Sequence, residues 1–317
     1  MGISQQQALD CFASDDLIGI GMEADAVRRR LHPGGIVSYA VDHVVDAGND
    51  LQALFHQIGS AVNAGATSIR LVRANVATQV GEQVGEQGTE APGLAQFQAT
   101  LEAIRQRFPG LKLYALSAGE ILQLASDAGV DVREALLGLR AAGLDSFAGD
   151  SMSGETIDRE LLSVHRTAHQ LGVRSTAGMV FGAGESLEER VQHLFAIREL
   201  QEETGGFTAF TPWSFQPGAT TADREEPTAV EYLRTLAIAR MVLDNVENIE
   251  SNCVAQGLKV VQMGLRFGAN DTGSIRIESA AKRPARFTEE DLRRVIRDAG
   301  FRPVERDTLY QTMYLNN

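Results

Sequence analysis

Residues 35–62 read GIVSYAVDHVVDAGNDLQALFHQIGSAV, a β-branched run that leads within a few residues into an amphipathic segment. The first nine letters, GIVSYAVDH, have the composition of a buried strand. Asn49 precedes DLQALFHQIGSAV and is a typical helix N-cap, with apolar residues at helical spacing after it. Because a strand followed at once by a helix is the repeating unit of parallel α/β folds, this stretch predicts one such unit.

The same alternation of strand and helix runs along the rest of the chain. Ser186 and Thr288 precede further helical segments, and Glu189 has capping-box spacing after Ser186. Eight strands separated by helices predict an α/β fold, a single (βα)8 barrel of the TIM type. No shift in composition divides the chain, so we expect residues 1–33 to form a helical lead and residues 34–317 the barrel and its C-terminal tail. The eight candidate strands are GIVSYAVDH, SIRLVRA, KLYALSA, DSFAGD, RSTAGMVFG, FTAFTPWSF, NIESNCV and GSIRI.

Composition excludes several classes of partner. The chain has 317 residues, of which 44% are hydrophobic, enough for a large core. Its formal net charge is −13. Nucleic acids and anionic membranes are bound by clustered Lys and Arg, so we expect neither as a partner. The start MGISQQQALD lacks the features of an export signal, and the two cysteines lie far apart, which favours a cytoplasmic protein.

Three long strings in the second half of the chain carry a family resemblance. They are GGFTAFTPWSFQPGAT (205–220), EYLRTLAIARMVLDNV (231–246) and QGLKVVQMGLRFGANDTGS (256–274). They resemble the radical S-adenosylmethionine enzymes of the futalosine route to menaquinone, in particular dehypoxanthine futalosine cyclase. The similarity begins near Leu17 and ends at RDTLY (306–310), so it covers nearly the whole chain and implies the same barrel.

The resemblance also implies a cofactor whose ligands are missing here. Members of the family hold a [4Fe-4S] cluster through a CxxxCxxC loop after the first strand, which supplies three thiolates. The corresponding stretch, YAVDHVVDAGNDL (39–51), contains no cysteine, and the chain has only Cys11 and Cys253. The family's Gly-Gly turn after the second strand is replaced by IRLVRANV (69–76). We therefore expect no [4Fe-4S] cluster and leave the binding of S-adenosylmethionine open.

One strand end is predicted to line a ligand pocket. Ligands of (βα)8 barrels bind at the C-terminal ends of the strands, and PWSFQPG presents Trp213, Phe215 and Gln216 at such an end. The indole of Trp213 can stack on the ring of a ligand, and the amide of Gln216 can form hydrogen bonds with polar atoms at the edge of that ring. The resemblance implies that this string belongs to a substrate site. A packed aromatic at the end of a strand is the alternative.

Three residues are predicted to be catalytic: Arg73, Asp150 and Glu185. Arg73 stands where the resemblance implies a glycine turn, and its guanidinium either binds a carboxylate or phosphate or fills the vacated space. Glu185 follows FGAG, where the family has a histidine before its acid, and it either contacts a ligand or stabilises a helix N-terminus. The shortened turn AGDSMSGE is expected to bring Asp150 to the barrel mouth.

The other predicted binding residues also follow candidate strands or lie in the last third of the chain, which carries part of the family resemblance. They are Asn75, Ser117, Gln256, Asn270 and Glu278.

Two further clusters suggest metal binding but are interpreted otherwise, and no metal site is expected. Asp42, His43 and Asp46 lie within five residues, but neighbouring side chains of a strand point to opposite faces, so a surface loop is predicted. His165 and His169 have the i, i+4 spacing of a helical metal pair. Their helix belongs to the outer ring, so a solvated face is predicted.

Two functions remain open from the sequence. In the first, the chain is an enzyme of the lyase, transferase or isomerase type that lacks the cluster and performs non-radical chemistry on a small polar cyclic or nucleoside-like metabolite. In the second, it is a non-catalytic protein that binds or regulates an intact family member. A homodimer is compatible with either function. Charged groups that converge in a closed pocket favour the enzyme, whereas an exposed apolar patch favours the binding protein.

Overall fold

A computed structural model describes residues 2–48, 50–63, 65–66, 68–73, 76–77, 83–84, 91–149, 151–153, 158–217, 225–276, 287–311 and 313–314. Its helices are α1 (Gln5–Ala13), α2 (Leu17–Leu31), α3 (Leu51–Asn63), α4 (Leu94–Arg107), α5 (Ala118–Ala128), α6 (Val132–Ala142), α7 (Arg159–Gln170), α8 (Leu187–Thr204), α9 (Ala229–Val242), α10 (Cys253–Gln256), α11 (Leu258–Gly264) and α12 (Glu289–Asp298). Its strands are β1 (Ile36–Asp46), β2 (Ser68–Val72), β3 (Val76–Ala77), β4 (Gln83–Val84), β5 (Lys112–Ser117), β6 (Ser146–Ala148), β7 (Ser151–Ser153), β8 (Arg174–Phe181), β9 (Phe207–Ser214), β10 (Asn248–Ile249), β11 (Asp271–Arg276), β12 (Arg302–Arg306) and β13 (Met313–Tyr314).

The strands form a nearly closed parallel barrel. Within the described residues, β1, β2, β5, β6, β8, β9 and β10 pair in that order, and β11 returns to pair with β1. A bridge between Glu250 and Asp271 joins β10 to β11, and the Asn270 amide donates to the Ile249 carbonyl at 3.1 Å. The predicted (βα)8 barrel is confirmed.

Strand β1 is longer than the sequence predicted. It continues past His43 to Asp46, and Asp42, His43 and Asp46 are 6%, 4% and 9% exposed. The prediction of a surface loop for these residues was wrong. Side chains of β1 do alternate between the two faces of the sheet. Asp42 faces the inside of the barrel, while Val41 packs in the apolar layer around the barrel.

Two apolar layers outside the barrel hold the helices on the sheet. One includes Phe210 of β9 and Leu236 of α9, and the other includes Ile69 of β2 and Phe97 of α4. The lead helices join the first layer, because α1 packs on α8 and α2 packs on α9. None of the described helices is long and apolar enough to cross a membrane.

Two of the three predicted helix caps are present. Ser186 and Thr288 each accept a hydrogen bond from the backbone of the first turn and form a capping box. Asn49, the third predicted cap, lies outside the described residues. The caps satisfy backbone amides that would otherwise lack partners, and so they set where α8 and α12 begin.

The C-terminal segment is bound to the barrel by a buried ion pair. Strand β12 lies beside the first half of β1, with Arg302 opposite Ile36. At its end, Arg306 donates to both carboxylate oxygens of Asp271, at 2.6 and 2.7 Å, and the Ser38 hydroxyl donates to the same carboxylate. The Asp271 side chain is fully buried. This one contact links β1, β11 and the C-terminal segment.

The predicted solvated face for the histidines of α7 was wrong, because His165 is buried and His169 is half-buried. His165 is 4% exposed, and its Nδ1 lies 2.8 Å from the Ser175 hydroxyl. The Nε2 atom of His169 lies 2.8 Å from the same hydroxyl. Both rings pack against aromatic side chains, among them Phe207 of β9. The sequence spacing did not reveal that this face of α7 lies on the barrel wall.

We expect the buried Arg306 pair to dominate the stability of this region. R306M leaves the Asp271 carboxylate buried without its partner, which should lower the free energy of unfolding by about 3–5 kcal/mol. The matched control is R294M, which breaks a pair with Asp291 whose arginine side chain is 63% exposed, and it should cost at most about 1 kcal/mol. Urea denaturation measures both. Equal losses in the two variants would contradict the assignment.

Acid should destabilise the protein through its buried histidines. Burial lowers the pKa of His165 to about 3 and of His169 and His193 to about 4, against an ordinary 6.5. The unfolded chain therefore binds more protons between about pH 6.5 and pH 4, and the free energy of unfolding should fall as the pH is lowered through this window. Each proton contributes about 1.4 kcal/mol per pH unit.

A substitution of His193 measures the contribution of one histidine to this pH dependence. The His193 Nε2–H donates to the Gly178 carbonyl at 3.1 Å, and the amide of a glutamine can keep that hydrogen bond. H193Q should therefore reduce the slope of unfolding free energy against pH by about one proton. Urea unfolding between pH 6 and pH 4.5 measures the slope, and an unchanged value would show that His193 is not held neutral.

Candidate functional site in the barrel lumen

The inside of the barrel is polar, although the interiors of such barrels are usually filled by Val, Ile and Leu. The side chains enclose a cavity of about 100 Å³. An engineered cavity of about 150 Å³ in another protein binds benzene, so this space is smaller than one that holds a six-membered ring. The cavity, here called the lumen site, is lined by Asp42, Val44, Arg70, Tyr114, Ala148, Gly149, Thr176, Ala177, Thr211, Trp213, Glu250, Asn252, Val254, Ser274, Arg306, Thr308 and Tyr310.

Strand alternation explains how charged residues reach the lumen. In β2, Ile69 and Leu71 point outward into the apolar layer under α4, so Ser68 and Arg70 point inward. The Ser68 hydroxyl donates to Asp42 of β1 at 2.5 Å. Neighbouring strands therefore contribute polar groups to one chamber, although each strand also supports the apolar core on its other face.

Glu250 is the group whose acidity is most suited to proton transfer. It lies just after β10, with part of its side chain facing the cavity, and its Oε1 accepts from the Asn252 amide at 2.7 Å. Burial and the neighbouring Asp271 carboxylate raise the pKa of Glu250 to about 7, while Arg306 opposes the shift. A carboxyl with a pKa near neutrality can act as either acid or base.

A glycine makes room for this carboxyl. Gly273 has φ +76°, and a Cβ atom there would lie 2.4 Å from Glu250 Oε1 and 2.8 Å from the Asn252 amide nitrogen. The backbone of β11 can therefore lie close to the Glu250 carboxyl because residue 273 is a glycine and has no side chain.

A cation and a phenol form the opposite wall. The Arg70 guanidinium lies over the Tyr114 ring at 5.6 Å from its centroid. Burial raises the pKa of Tyr114, so the phenol remains protonated. Arg70 makes no hydrogen bond or ion pair with any other described residue, in contrast to Arg306, which is held by Asp271.

The floor of the lumen site comes from the C-terminal segment. Tyr310 packs its ring 3.9 Å from the Arg306 guanidinium and lines the cavity with Thr308. The Thr308 hydroxyl is buried and has no hydrogen-bond partner among the described residues. Since buried polar groups normally have partners, this hydroxyl indicates a place for a polar ligand atom or a water molecule.

The predicted strand-end residues are only partly brought to the lumen site. Trp213 lines the cavity. Phe215 and Gln216 follow β9 beyond its end, and the Gln216 side chain is exposed. Gln256 donates to the Ser214 hydroxyl at 3.1 Å, beside Trp213 in the chain.

Other predicted site residues are occupied by hydrogen bonds within the fold. Glu185 accepts from the Gly182 and Ala183 amides and pairs with Arg190 at 2.6 Å, with a side chain that is 1% exposed. Ser117 caps α5. Asn270 binds Arg240, Asn248 and the Ile249 amide and is 2% exposed. All of these contacts lie within the fold, and they do not test a ligand role for Glu185.

The remaining predictions concern the barrel mouth. Arg73 lies directly after β2 and is partly exposed. Asn75, Asp150 and Glu278 lie outside the described residues, so their placement stays a prediction.

The sequence reasoning missed the residues that make the lumen polar: Arg70, Tyr114, Glu250, Asn252 and Arg306. The signal was present, because a charged or phenolic residue between two aliphatic residues of a buried strand must face the opposite side. In SIRLV and KLYAL this points to Arg70 and Tyr114. No local pattern marks Glu250 or Arg306, whose position depends on barrel closure.

Comparison with known proteins identifies the family. Residues 204–317 match the CofH/MqnC C-terminal region family. Over 99% of its length the chain is 33% identical to the cyclic dehypoxanthine futalosine synthase of Streptomyces coelicolor, of which it covers 86%. The chain belongs to the radical S-adenosylmethionine family of the futalosine pathway. The resemblance deduced from the sequence is confirmed.

This family is broader than one activity. The chain is also 32% identical to the 5-amino-6-(D-ribitylamino)uracil–L-tyrosine 4-hydroxyphenyl transferase of Methanocaldococcus jannaschii, with 98% of the chain and 97% of that protein covered. The alignment with the Streptomyces coelicolor protein extends over 364 positions, although this chain has only 317 residues. Some segments of that relative therefore have no counterpart here.

Solved structures show the same fold. Methylornithine synthase superposes with a TM-score of 0.70 at 14% identity, covering 96% of this chain and 94% of that one. The [FeFe]-hydrogenase maturase HydG also gives a TM-score of 0.70, at 12% identity, with 98% and 75% covered. At this level of identity the likeness concerns the fold alone.

The thiols of this chain do not fit a thiolate-held [4Fe-4S] cluster. Cys11 lies on α1 in the helical lead, whereas Cys253 begins α10 and is fully buried, with Sγ 4.0 Å from the Ser274 carbonyl oxygen. Burial raises the pKa of both thiols, which disfavours the thiolate that binds iron. Two separated cysteines cannot supply three clustered ligands. The described residues also contain no group of three His, Cys, Asp or Glu side chains placed to hold a metal.

The pKa of Glu250 can be tested without a substrate. A carboxyl whose folded-state pKa is raised from 4.5 to about 7 binds its proton more tightly in the folded protein, so its burial lowers stability as the pH rises through that window. E250Q should therefore raise the Tm at pH 8 and change it little at pH 5. E202Q, at an exposed position of α8, should change neither value. A Tm of E250Q that is equal to wild type at pH 8 would contradict the raised pKa.

Proposed function

We propose that this chain is a repurposed enzyme that performs non-radical acid–base chemistry on a small polar cyclic or nucleoside-like metabolite in the lumen site. The observation that carries this proposal is a carboxyl, Glu250, with a pKa near 7 beside a polar cavity of about 100 Å³. Proton transfer by a positioned group contributes typically 10²–10⁴-fold to rate. A lyase, transferase or isomerase reaction is compatible with one such group.

Each wall of the lumen site has a distinct role in this proposal. Glu250 takes and returns a proton, and Asn252 holds the carboxyl in place through its hydrogen bond. Trp213 supplies a flat apolar face for the ring. Tyr114 remains protonated and can donate to a developing negative charge.

The absence of a thiolate ligand set supports non-radical chemistry. A [4Fe-4S] cluster, where a family member holds one, supplies the electron that cleaves S-adenosylmethionine. The two cysteines of this chain have different locations and raised pKa values, so we do not propose a cluster here. Binding of S-adenosylmethionine itself remains part of the test below, and Arg73, Asn75 and Asp150 are proposed as additional ligand contacts at the barrel mouth.

One observation favours the alternative of a non-catalytic binding protein. Ile18 and Met22 lie one turn apart on α2 and are 63% and 66% exposed. An apolar pair on a surface helix is compatible with a protein partner, such as an intact family member or a second copy of this chain. Two residues form a small patch, so we rank this function second.

A ligand screen tests the proposed function. Trp213 is the only tryptophan of the chain and lines the cavity, so its fluorescence reports occupancy of the lumen site directly. Metal-analysed protein should be titrated with S-adenosylmethionine, S-adenosylhomocysteine, futalosine derivatives and simple aromatic acids. A ligand at a hundred times its Kd should add about 2.7 kcal/mol of stability. W213A should lose most of that stabilisation.

The outcomes separate the two functions. Quenching together with a thermal shift, in protein free of iron, supports a cluster-free small-molecule site. A failure of every compound to quench Trp213 or shift the Tm would favour the binding protein. In that case I18E/M22E should abolish any self-association or capture of a purified family member seen in the wild type.

A further inference from the structure

A second cavity lies at the bottom of the barrel, where the strands begin, on the face opposite the mouth. This cavity, here called the basal cleft, has a volume of about 440 Å³. Lys112 and Arg174, which line it, are the first residues of β5 and β8, and Asp145 directly precedes β6. Arg105 and Arg140 reach it from the last turns of α4 and α6. The cleft is therefore built from the ends of several neighbouring strand–helix units.

The basal cleft is basic, although the protein as a whole is acidic. Among the described residues that line the cleft, Arg105, Lys112, Arg140 and Arg174 are basic and only Asp145 is acidic. The whole chain has 42 Asp and Glu against 29 Lys and Arg, so carboxylate partners for these cations are plentiful. Like charges that are held together repel one another unless an anion lies between them. The excess of cations at this one place indicates a site for an anion.

Two of the five charged groups neutralise each other and have a structural role. Arg105 donates to Asp145 Oδ2 at 2.6 Å and to the carbonyls of Leu111 and Gly143, both at 2.7 Å. The same Asp145 oxygen accepts the Leu113 amide at 2.8 Å. This pair connects the end of α4 to the starts of β5 and β6, and its donors and acceptors are occupied.

The other three cations have donors available to a ligand. Arg140 is exposed and makes no hydrogen bond or ion pair with the other described residues. Arg174 donates from Nη1 to the Gly205 carbonyl at 2.6 Å, and its remaining N–H groups have no partner in the described part of the chain. Lys112 Nζ lies 3.8 Å from Asp145 Oδ1, which is beyond hydrogen-bond distance. These donors belong to three separate elements, α6, β8 and β5.

We propose that the basal cleft binds a phosphate group, either free or carried by a small metabolite. The terminal oxygens of a phosphate point in different directions, so each can meet a donor from a different element, whereas a planar carboxylate matches a single guanidinium. A phosphate monoester also carries about −1.5 to −2 charges at pH 7, which suits a cluster of three cations. A cleft of about 440 Å³ leaves room for the molecule to which the phosphate is attached.

The basal cleft is separate from the lumen site, so this inference does not depend on the proposed function. Thr308 and Tyr310 line the lumen site, while Leu309 and Gln311 line the basal cleft. The C-terminal segment therefore lies between the two cavities. A molecule bound in the cleft occupies a second site rather than an extension of the first.

Calorimetric titration with pyrophosphate, inorganic phosphate and glycerol phosphate tests the proposal. Wild type should bind pyrophosphate, and R140M and R174M should each weaken that binding by at least about tenfold. R140K and R174K keep the charge, so they should lose less than the methionine variants. Tighter binding of glycerol phosphate than of inorganic phosphate identifies an esterified ligand, and the reverse order identifies free phosphate.

Two control variants locate the bound anion. R133M removes an exposed arginine from the first turn of the same helix, α6, at a position that does not line the cleft, so it should bind pyrophosphate as wild type does. R70M removes a cation from the lumen site and should also leave pyrophosphate binding unchanged. Circular dichroism establishes that each variant is folded, and the exposed positions of Arg140 and Arg174 favour folding of their variants.

Four results would overturn the inference. If the wild type binds no phosphate compound, the cations serve only to compensate the C-terminal ends of the barrel helices. A loss of binding in R70M but not in R140M would place the anion in the lumen site. An equal loss in R133M would show a general effect of charge. Tighter binding of a polyglutamate peptide than of pyrophosphate would make the cleft a surface for an acidic protein segment.

Discussion

The buried pair between Arg306 and Asp271 is the interaction on which the barrel interior depends. A bidentate guanidinium–carboxylate contact is one of the few ways to place two opposite charges inside a protein without leaving either unsatisfied. It holds the C-terminal segment against β1 and β11, and that segment supplies the floor of the lumen site. Removing either partner would leave a buried charge uncompensated, so we regard the floor and the closure of the barrel as one structural unit.

The polarity of the lumen follows from that arrangement. Once Arg306 neutralises Asp271, a second carboxyl, Glu250, can lie nearby at the cost of a raised pKa rather than of an unstable fold. Gly273 provides the space, since any side chain there would meet the Glu250 carboxylate. A barrel that was filled by aliphatic side chains would be more stable but would have no room for a ligand. The fold therefore combines apolar layers outside the barrel with a polar cavity inside it.

The residues that carry the family resemblance contribute more to the packing around the barrel than to the polar groups inside it. Asn270 and Arg240, in the strings that resemble the family, bind each other and the backbone where β10 meets β11. Their role is to close the barrel, which any member of the family needs. The chain has only two cysteines, and Arg70 and Glu250 line the cavity inside the barrel. Residues that face outward and residues that face the cavity can therefore be substituted independently, because they lie on opposite faces of the same strands.

The sequence by itself determined the fold class, the family and the number of cysteines, because alternating strands and helices, long matching strings and residue counts can all be read along the chain. It also placed Trp213 at a strand end. The tertiary structure alone decided the rest. It buried Asp42 and His165, because the position of a residue along the chain does not show which part of the fold its side chain will contact. It brought Arg70, Glu250 and Arg306 into one chamber, because these residues are up to 236 positions apart and meet only when the barrel closes.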